Sequence, residues 1–251
     1  MINIEELNLS PGWKEVFNSF QRNCIDYNNY HECIGFSYKI SPLIDNCMSP
    51  KLLTKEKMSA IYTWYRNKNS RDHSIEEYFP EYRLCTDSKH LDFNSNYGLY
   101  AYNKDGLDKC IKRLSENDMT RQSMFCINNN VAMSDYSIDK LCTNTVQFFI
   151  RNNKLQMVIQ MRASNLLTLL PYDSFMFCYW YFYVFNKLCK ESKFKNLEVD
   201  YIYINAATIH YYDSNLSYIC NENNDIKTHL FDNFRNKDFL EKFEEEIKKE
   251  K

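Results

Sequence analysis

Apolar positions along this chain of 251 residues change period twice. In "SPGWKEVFNSFQRNC" they recur at helical spacing. Trp13, Val16 and Phe17 share a face, Ser10 stands at the cap and Pro11 at the first helical position. "TKEKMSAIYTWYRNK" (Thr54 to Lys68) predicts a second helix, capped by Thr54, with Met58, Ile61, Tyr62 and Tyr65 at helical spacing. "GLDKCIKRLSE" predicts a third, shorter one. The pattern then turns to strand. "TVQFFIR" and "LQMVIQMR" are rich in β-branched and aromatic residues, and Asn152-Asn153-Lys154 between them reads as a hairpin turn. The aromatic run "FMFCYWYFYVF" (Phe175 to Phe185), which follows Pro171, predicts a buried helix. "LEVDYIYINAATIHYY" returns to strand, and "KDFLEKFEEEIKKEK" closes as an amphipathic, charged helix. This order predicts an α+β fold with a mainly antiparallel or mixed sheet.

Composition narrows the class. Hydrophobic residues at 44% and charged residues at 25% are ordinary for a globular protein, and four glycines and five prolines leave no room for a long linker. One domain over residues 1–251 is expected. A net charge of −2 provides no basic field, so no nucleic-acid partner is expected. The N-terminus is acidic and lacks an apolar signal-like core. The greasiest run reaches only about half of the ~20 residues a membrane helix requires, so no membrane partner is expected. Ten cysteines without any CxxC pair predict reduced thiols in a cytoplasm, and no metal site is expected.

"MRASNLLTLLPYDSF" holds Arg162 and Asp173 in an otherwise apolar stretch, and both are residue types that are seldom buried unless paired. Other polar groups flank it in sequence: Arg121 after Thr120, Cys142 before a strand, and His210 and Tyr212 at the end of a later one. Singly, each has a plain structural reading: a packing cysteine, an aspartate capping a helix, a polar strand end.

Together they form a pattern. "CTNTVQFFIRNNKLQMVIQMRASNLLTLLPYDSF" resembles the core signature of the thymidylate synthase family, with a cysteine before a strand, an arginine after a hairpin, and a Leu-Pro-aromatic segment opening a long helix. "DMTRQSMF" resembles the family's phosphate-binding Ser-Arg segment, and "AATIHYYDSN" resembles its Gly-Ser-Leu-His-Ile-Tyr strand. "FNSNYGLYAY" is similar to the Asn-Tyr-Gly segment of the nucleotide hydroxymethylase branch. The likeness runs from about Trp13 to about Asn215.

That resemblance implies a homodimer packed through its sheets, a pyrimidine nucleoside monophosphate as substrate and 5,10-methylenetetrahydrofolate as co-substrate. It implies Cys142 as the nucleophile that adds to carbon 6 of the base. It implies Arg162 and, from the partner subunit, Arg121 on the phosphate, with His210 and Tyr212 also binding substrate. An arginine beside the thiol would favour the reactive thiolate. Asp173 stands where thymidylate synthases read uracil with asparagine; a carboxyl group complements cytosine better. Ala163 replaces a serine, and with Asp173 it resembles the CMP hydroxymethylases of mildiomycin- and bacimethrin-type pathways, which tilts the reading toward CMP over dCMP. The folate-binding positions fall on Asn165 and Leu169, the general acid/base glutamate on Ile61, and the proline before the cysteine on Leu141. These departures keep two alternatives open: a catalytically degenerate nucleotide-binding protein, and a dUMP-type thymidylate synthase.

Overall fold

The computed structural model describes residues 11–42, 54–87, 89, 91–128, 138–216 and 245. Ser10 and nearly all of the charged tail lie outside the described residues. In chain order the elements begin with α1 (Pro11–Asn23), β1 (Ile25–Tyr27), β2 (Tyr30–Ile40), α2 (Lys55–Asn67) and α3 (Ile75–Tyr78). A 3₁₀ segment (Pro80–Cys85) and a π-helical turn (Leu99–Asn103) lead to α4 (Gly106–Glu116). Then follow β3 (Met124–Cys126), β4 (Thr143–Arg151), β5 (Lys154–Asn165), α5 (Leu170–Leu188) and β6 (Glu198–Tyr212).

Local chemistry accounts for several of these boundaries. Thr54 caps α2 by accepting a hydrogen bond from Lys57 N at 3.3 Å. Asn152 and Asn153 take left-handed backbone conformations (φ 51° and 59°), which asparagine tolerates and a tight two-residue hairpin requires; they join β4 to β5. The aromatic run is the middle of α5, whose side chains are buried on nearly every side because the helix is enclosed by its neighbours. Among the described residues no helix is long and apolar enough to cross a membrane.

The six strands form one mixed sheet in the order β1-β2-β6-β5-β4-β3. All pairs are antiparallel except β5–β6, where the intervening α5 returns the chain for parallel pairing. The β1–β2 hairpin has no counterpart in the predicted elements, since β2 lacks clean alternation and carries Gly35 at φ +69°. Trp13, Val16 and Phe17 are buried as predicted, and so are Met58, Ile61, Tyr62 and Tyr65. Gly98 is dictated by close approach: a Cβ there would lie 1.7 Å from the Tyr65 carbonyl oxygen. That contact, together with Asn96 donating to Trp64 O at 2.9 Å, presses the 94–98 loop against α2 and brings Tyr97 to the start of β4.

Candidate active site

Cys142 sits immediately before β4, where Thr143 N donates to the buried Tyr97 hydroxyl at 3.2 Å. The Arg162 side chain, from the adjacent strand β5, wraps around this entry. Its Nε donates to Leu141 O and its Nη2 to Lys140 O, both at 3.2 Å, and Nη2 comes within 3.8 Å of Cys142 Sγ. The predicted thiol–guanidinium neighbourhood is present. The expected thiolate near neutral pH is not: burial, with Asp173 and Asp139 adding negative charge, pushes the Cys142 thiol up to about 11, against the opposing pull of Arg162.

A cavity of about 290 Å³ opens beside the thiol, and Cys142, Asp173 and Leu169 all line it. The size is near the lower end for small-ligand sites. Asp173 lies in the first turn of α5 and is 8% exposed. The residue at the cap position is Leu169, so Asp173 is not the capping residue. Among the described residues its carboxyl group has no hydrogen-bond partner, and burial raises its pKa to about 7. A carboxyl group in that state alternates between an acceptor pair and a donor–acceptor pair close to neutrality.

His210 and Tyr212 lie together at the end of β6. His210 is opposite Asn165 on β5 and Glu32 on β2. Its Nδ1 is buried without a partner among the described residues, and burial lowers its pKa, which favours the uncharged ring. The charge of Arg162 acts on the same ring. Tyr30 packs against both side chains, at 5.6 Å from His210 and 5.2 Å from Tyr212.

Three other predicted positions have different surroundings. Arg121 is exposed, and its carbonyl accepts from the Gln147 side chain at 2.7 Å. Gln147 is five residues along β4 from Cys142, about 16 Å at the rise of a strand. Within one chain Arg121 therefore lies away from the thiol site. Asn165 is engaged internally: its Oδ1 accepts from Leu167 N and Thr168 N at 3.0 and 3.1 Å, and its Nδ2 donates to Asn215 Oδ1 at 2.9 Å. Ala163 is buried in β5, outside the residues that line the cavity.

Ile61 is on the cavity wall, as an isoleucine where a proton-handling group was sought. The same wall carries residues that sequence reasoning passed over. Asp139 accepts from Ser95 N at 2.6 Å and from Ser95 Oγ at 2.5 Å, and burial raises its pKa. Ser164 Oγ is buried without a partner among the described residues. Glu81 comes from the 3₁₀ segment. No motif marks these three. Asp139 and Ser164 stand close to Cys142 and Arg162 in sequence but face the cavity only in the folded chain, and Glu81 arrives from a distant segment. Among the described residues no cluster of three or more potential metal ligands occurs.

A thiol beside an arginine and a buried carboxyl group meet on a six-stranded mixed sheet in the order β1-β2-β6-β5-β4-β3. This is the thymidylate synthase fold: thermostable thymidylate synthase A from Bacillus subtilis matches with a TM-score of 0.63, over 83% of this chain and 81% of that one, at 12% identity. By sequence the chain is similar to the nucleotide hydroxymethylase branch. The deoxycytidylate 5-hydroxymethyltransferase of Enterobacteria phage T2 is 25% identical over 211 residues, covering 79% of this chain and 82% of that protein. The enzyme of the same name from phage T4 is 27% identical over 168 residues, covering 64% of this chain and 65% of its own. No protein-family model matches the chain.

Proposed function

We propose that this chain is an enzyme that hydroxymethylates carbon 5 of a cytidine monophosphate, with 5,10-methylenetetrahydrofolate as the one-carbon donor. The observation that carries this reading is the unpartnered Asp173 carboxyl group, buried in the same cavity as Cys142. Cytosine presents a ring-nitrogen acceptor beside an amine donor. A neutral carboxyl group satisfies both, giving a proton to the nitrogen and taking one from the amine. Uracil presents the reverse pair, and its carbonyl would meet lone pairs with lone pairs whenever the carboxyl group is ionised. The names of the phage relatives support a cytosine nucleotide as substrate.

In this reading the Cys142 sulfur adds to carbon 6, and carbon 5 becomes nucleophilic and takes up the one-carbon unit. Loss of the carbon 5 proton with expulsion of tetrahydrofolate then leaves an exocyclic methylene on the ring. Binding of the base also helps the thiol ionise. Asp173 in its neutral, hydrogen-bonded form no longer contributes the negative charge that raises Cys142 in the empty site. Arg162, already beside the sulfur, then favours the thiolate. Arg121 of a second subunit, His210 and Tyr212 would hold the phosphate and sugar. The donor supplies a methylene group at the oxidation level of formaldehyde. Leu169, Tyr172, Tyr82 and Leu84 offer an apolar wall that fits its flat heterocycle, whereas the Asn165 amide already has protein partners.

Two observations bear on the sugar. Ala163, in place of serine, favours CMP as in the antibiotic-pathway enzymes it resembles; the named substrate of the phage relatives favours dCMP. The experiment is turnover of CMP, dCMP, UMP and dUMP with methylenetetrahydrofolate, alongside release of tritium from carbon 5 of each nucleotide. A hydroxymethylated cytosine product that requires Cys142 is expected. Tight cytidylate binding with no product would favour the nucleotide-binding alternative, and preference for dUMP would remove the cytosine reading.

A further inference from the structure

The hydroxymethyl group must acquire its oxygen from water, and that step needs a base in the cavity. Three carboxyl groups line it: Asp173, Asp139 and Glu81. Asp173 is committed to the pyrimidine in the reading above, on which this inference rests. Asp139 already accepts two short hydrogen bonds from Ser95, and together they pin the 94–98 loop. Glu81 has neither a hydrogen bond nor an ion pair among the described residues. Its charge is nevertheless felt at Tyr172 and Cys85, both on the cavity wall.

The position of Glu81 is well held. Phe79, two residues before it, is buried and packs edge-on to Tyr172 of α5 at 5.0 Å. Tyr82, the next residue, packs edge-on to Trp64 at 5.2 Å and to Phe93 at 5.9 Å. Trp64 is one helical turn beyond Ile61 on α2. The 3₁₀ segment is thus docked on the very helix whose own cavity-facing residue is apolar, and it supplies a carboxylate to that wall.

We propose that Glu81 is the general base that activates water for the last bond-forming step. Glu81 takes one proton from the water, and the oxygen forms a bond to the exocyclic methylene carbon of the Cys142-bound pyrimidine. The electron pair of that double bond moves to carbon 5. It then closes the 5,6 double bond as the carbon 6–sulfur bond breaks and the Cys142 thiolate leaves. The proton on Glu81 passes to the thiolate or to solvent. No oxidant or reductant is required. Ser164 Oγ, buried and unpartnered in the same cavity, is available to orient the water.

The test separates water addition from the steps before it, using the full-length protein. General bases contribute about 10²–10⁴-fold to rate. Glu81→Gln is therefore expected to lower hydroxymethyl product formation by about 100-fold or more, while carbon 5 tritium release stays within about threefold of wild type. Glu81→Asp should regain part of the product rate, and formate should rescue Glu81→Ala, a response that a merely structural residue would not show. Full product formation by Glu81→Gln overturns the proposal. So does equal loss of exchange and product without formate rescue. Wild-type protein that forms no product from any of the four nucleotides overturns the hydroxymethylase reading itself, and the role of Glu81 with it.

Discussion

Replacing Asp173 with asparagine tests the central electrostatic feature of the cavity through stability, before any ligand is added. The folded protein holds this carboxyl group at a pKa of about 7, raised from 3.8 by burial alone. In the unfolded chain the group ionises near 3.8, so between those values the folded state binds a proton that the unfolded state does not. Stability therefore falls as pH rises from about 4 to about 7, and is level above that. At 1.36 kcal/mol per pKa unit the full cost is about 4 kcal/mol, an upper value because water entering the open cavity would reduce it. Asparagine has a similar shape and no charge to bury. The stability of Asp173→Asn relative to wild type should therefore improve by up to about 3 kcal/mol between pH 4.5 and pH 8. Urea unfolding of both proteins at the two pH values measures that difference directly. A gap independent of pH would show that the carboxyl group is not held uncompensated in the fold, and the donor–acceptor argument for cytosine would fall with it. The same group predicts a binding signature: wild-type affinity for a cytidylate should fall by up to tenfold per pH unit above about pH 7. Asp173→Asn should show a flat profile and prefer the uracil nucleotide.

Cys142, pushed up to about 11, should alkylate slowly in the nucleotide-free protein. Its rate at pH 8 is expected about 100-fold below that of a thiol with the ordinary value, because only the thiolate reacts. Asp173→Asn should accelerate it by removing a negative neighbour; a midpoint below pH 9 in wild type would contradict the assigned burial. Gly98→Ala should destabilise the fold by about 3 kcal/mol or more, since the clash is with backbone at 1.7 Å and cannot be relieved by a side-chain rotation. Loss of less than about 1 kcal/mol in thermal unfolding would refute that contact. The chain should be a homodimer by light scattering, with Arg121 completing its partner's site. Mixing Arg121→Ala with Cys142→Ala protein should then restore up to about a quarter of wild-type sites by subunit exchange. No recovery after demonstrated exchange would exclude a shared site.

Much of the framework was readable locally because its causes are local. Asn152 and Asn153 supply the left-handed turn their hairpin requires, Thr54 caps its own helix, and the apolar faces of α1 and α2 follow helical spacing. The motif order pointed to the fold, and the proximity of Cys142 and Arg162 follows from a cysteine and an arginine on the two arms of one hairpin. Where periodicity broke down, as in β2 with its glycine and irregular burial, no strand could be read.

Tertiary structure alone decided the chemistry of the cavity. Parallel pairing of β5 with β6 set His210 beside Asn165, and that register cannot be read from either strand. The ionisation of Cys142 depends on how deeply neighbouring elements bury it, and burial outweighed the arginine that sequence placed beside it. Asn165 turned inward to hold its own loop, while Glu81 arrived from a segment about sixty residues before Cys142 in the chain. Sequence patterns report short-range geometry, which the backbone imposes within a few residues. Desolvation and the convergence of charges arise from contacts between distant segments, and these exist only once the chain has folded.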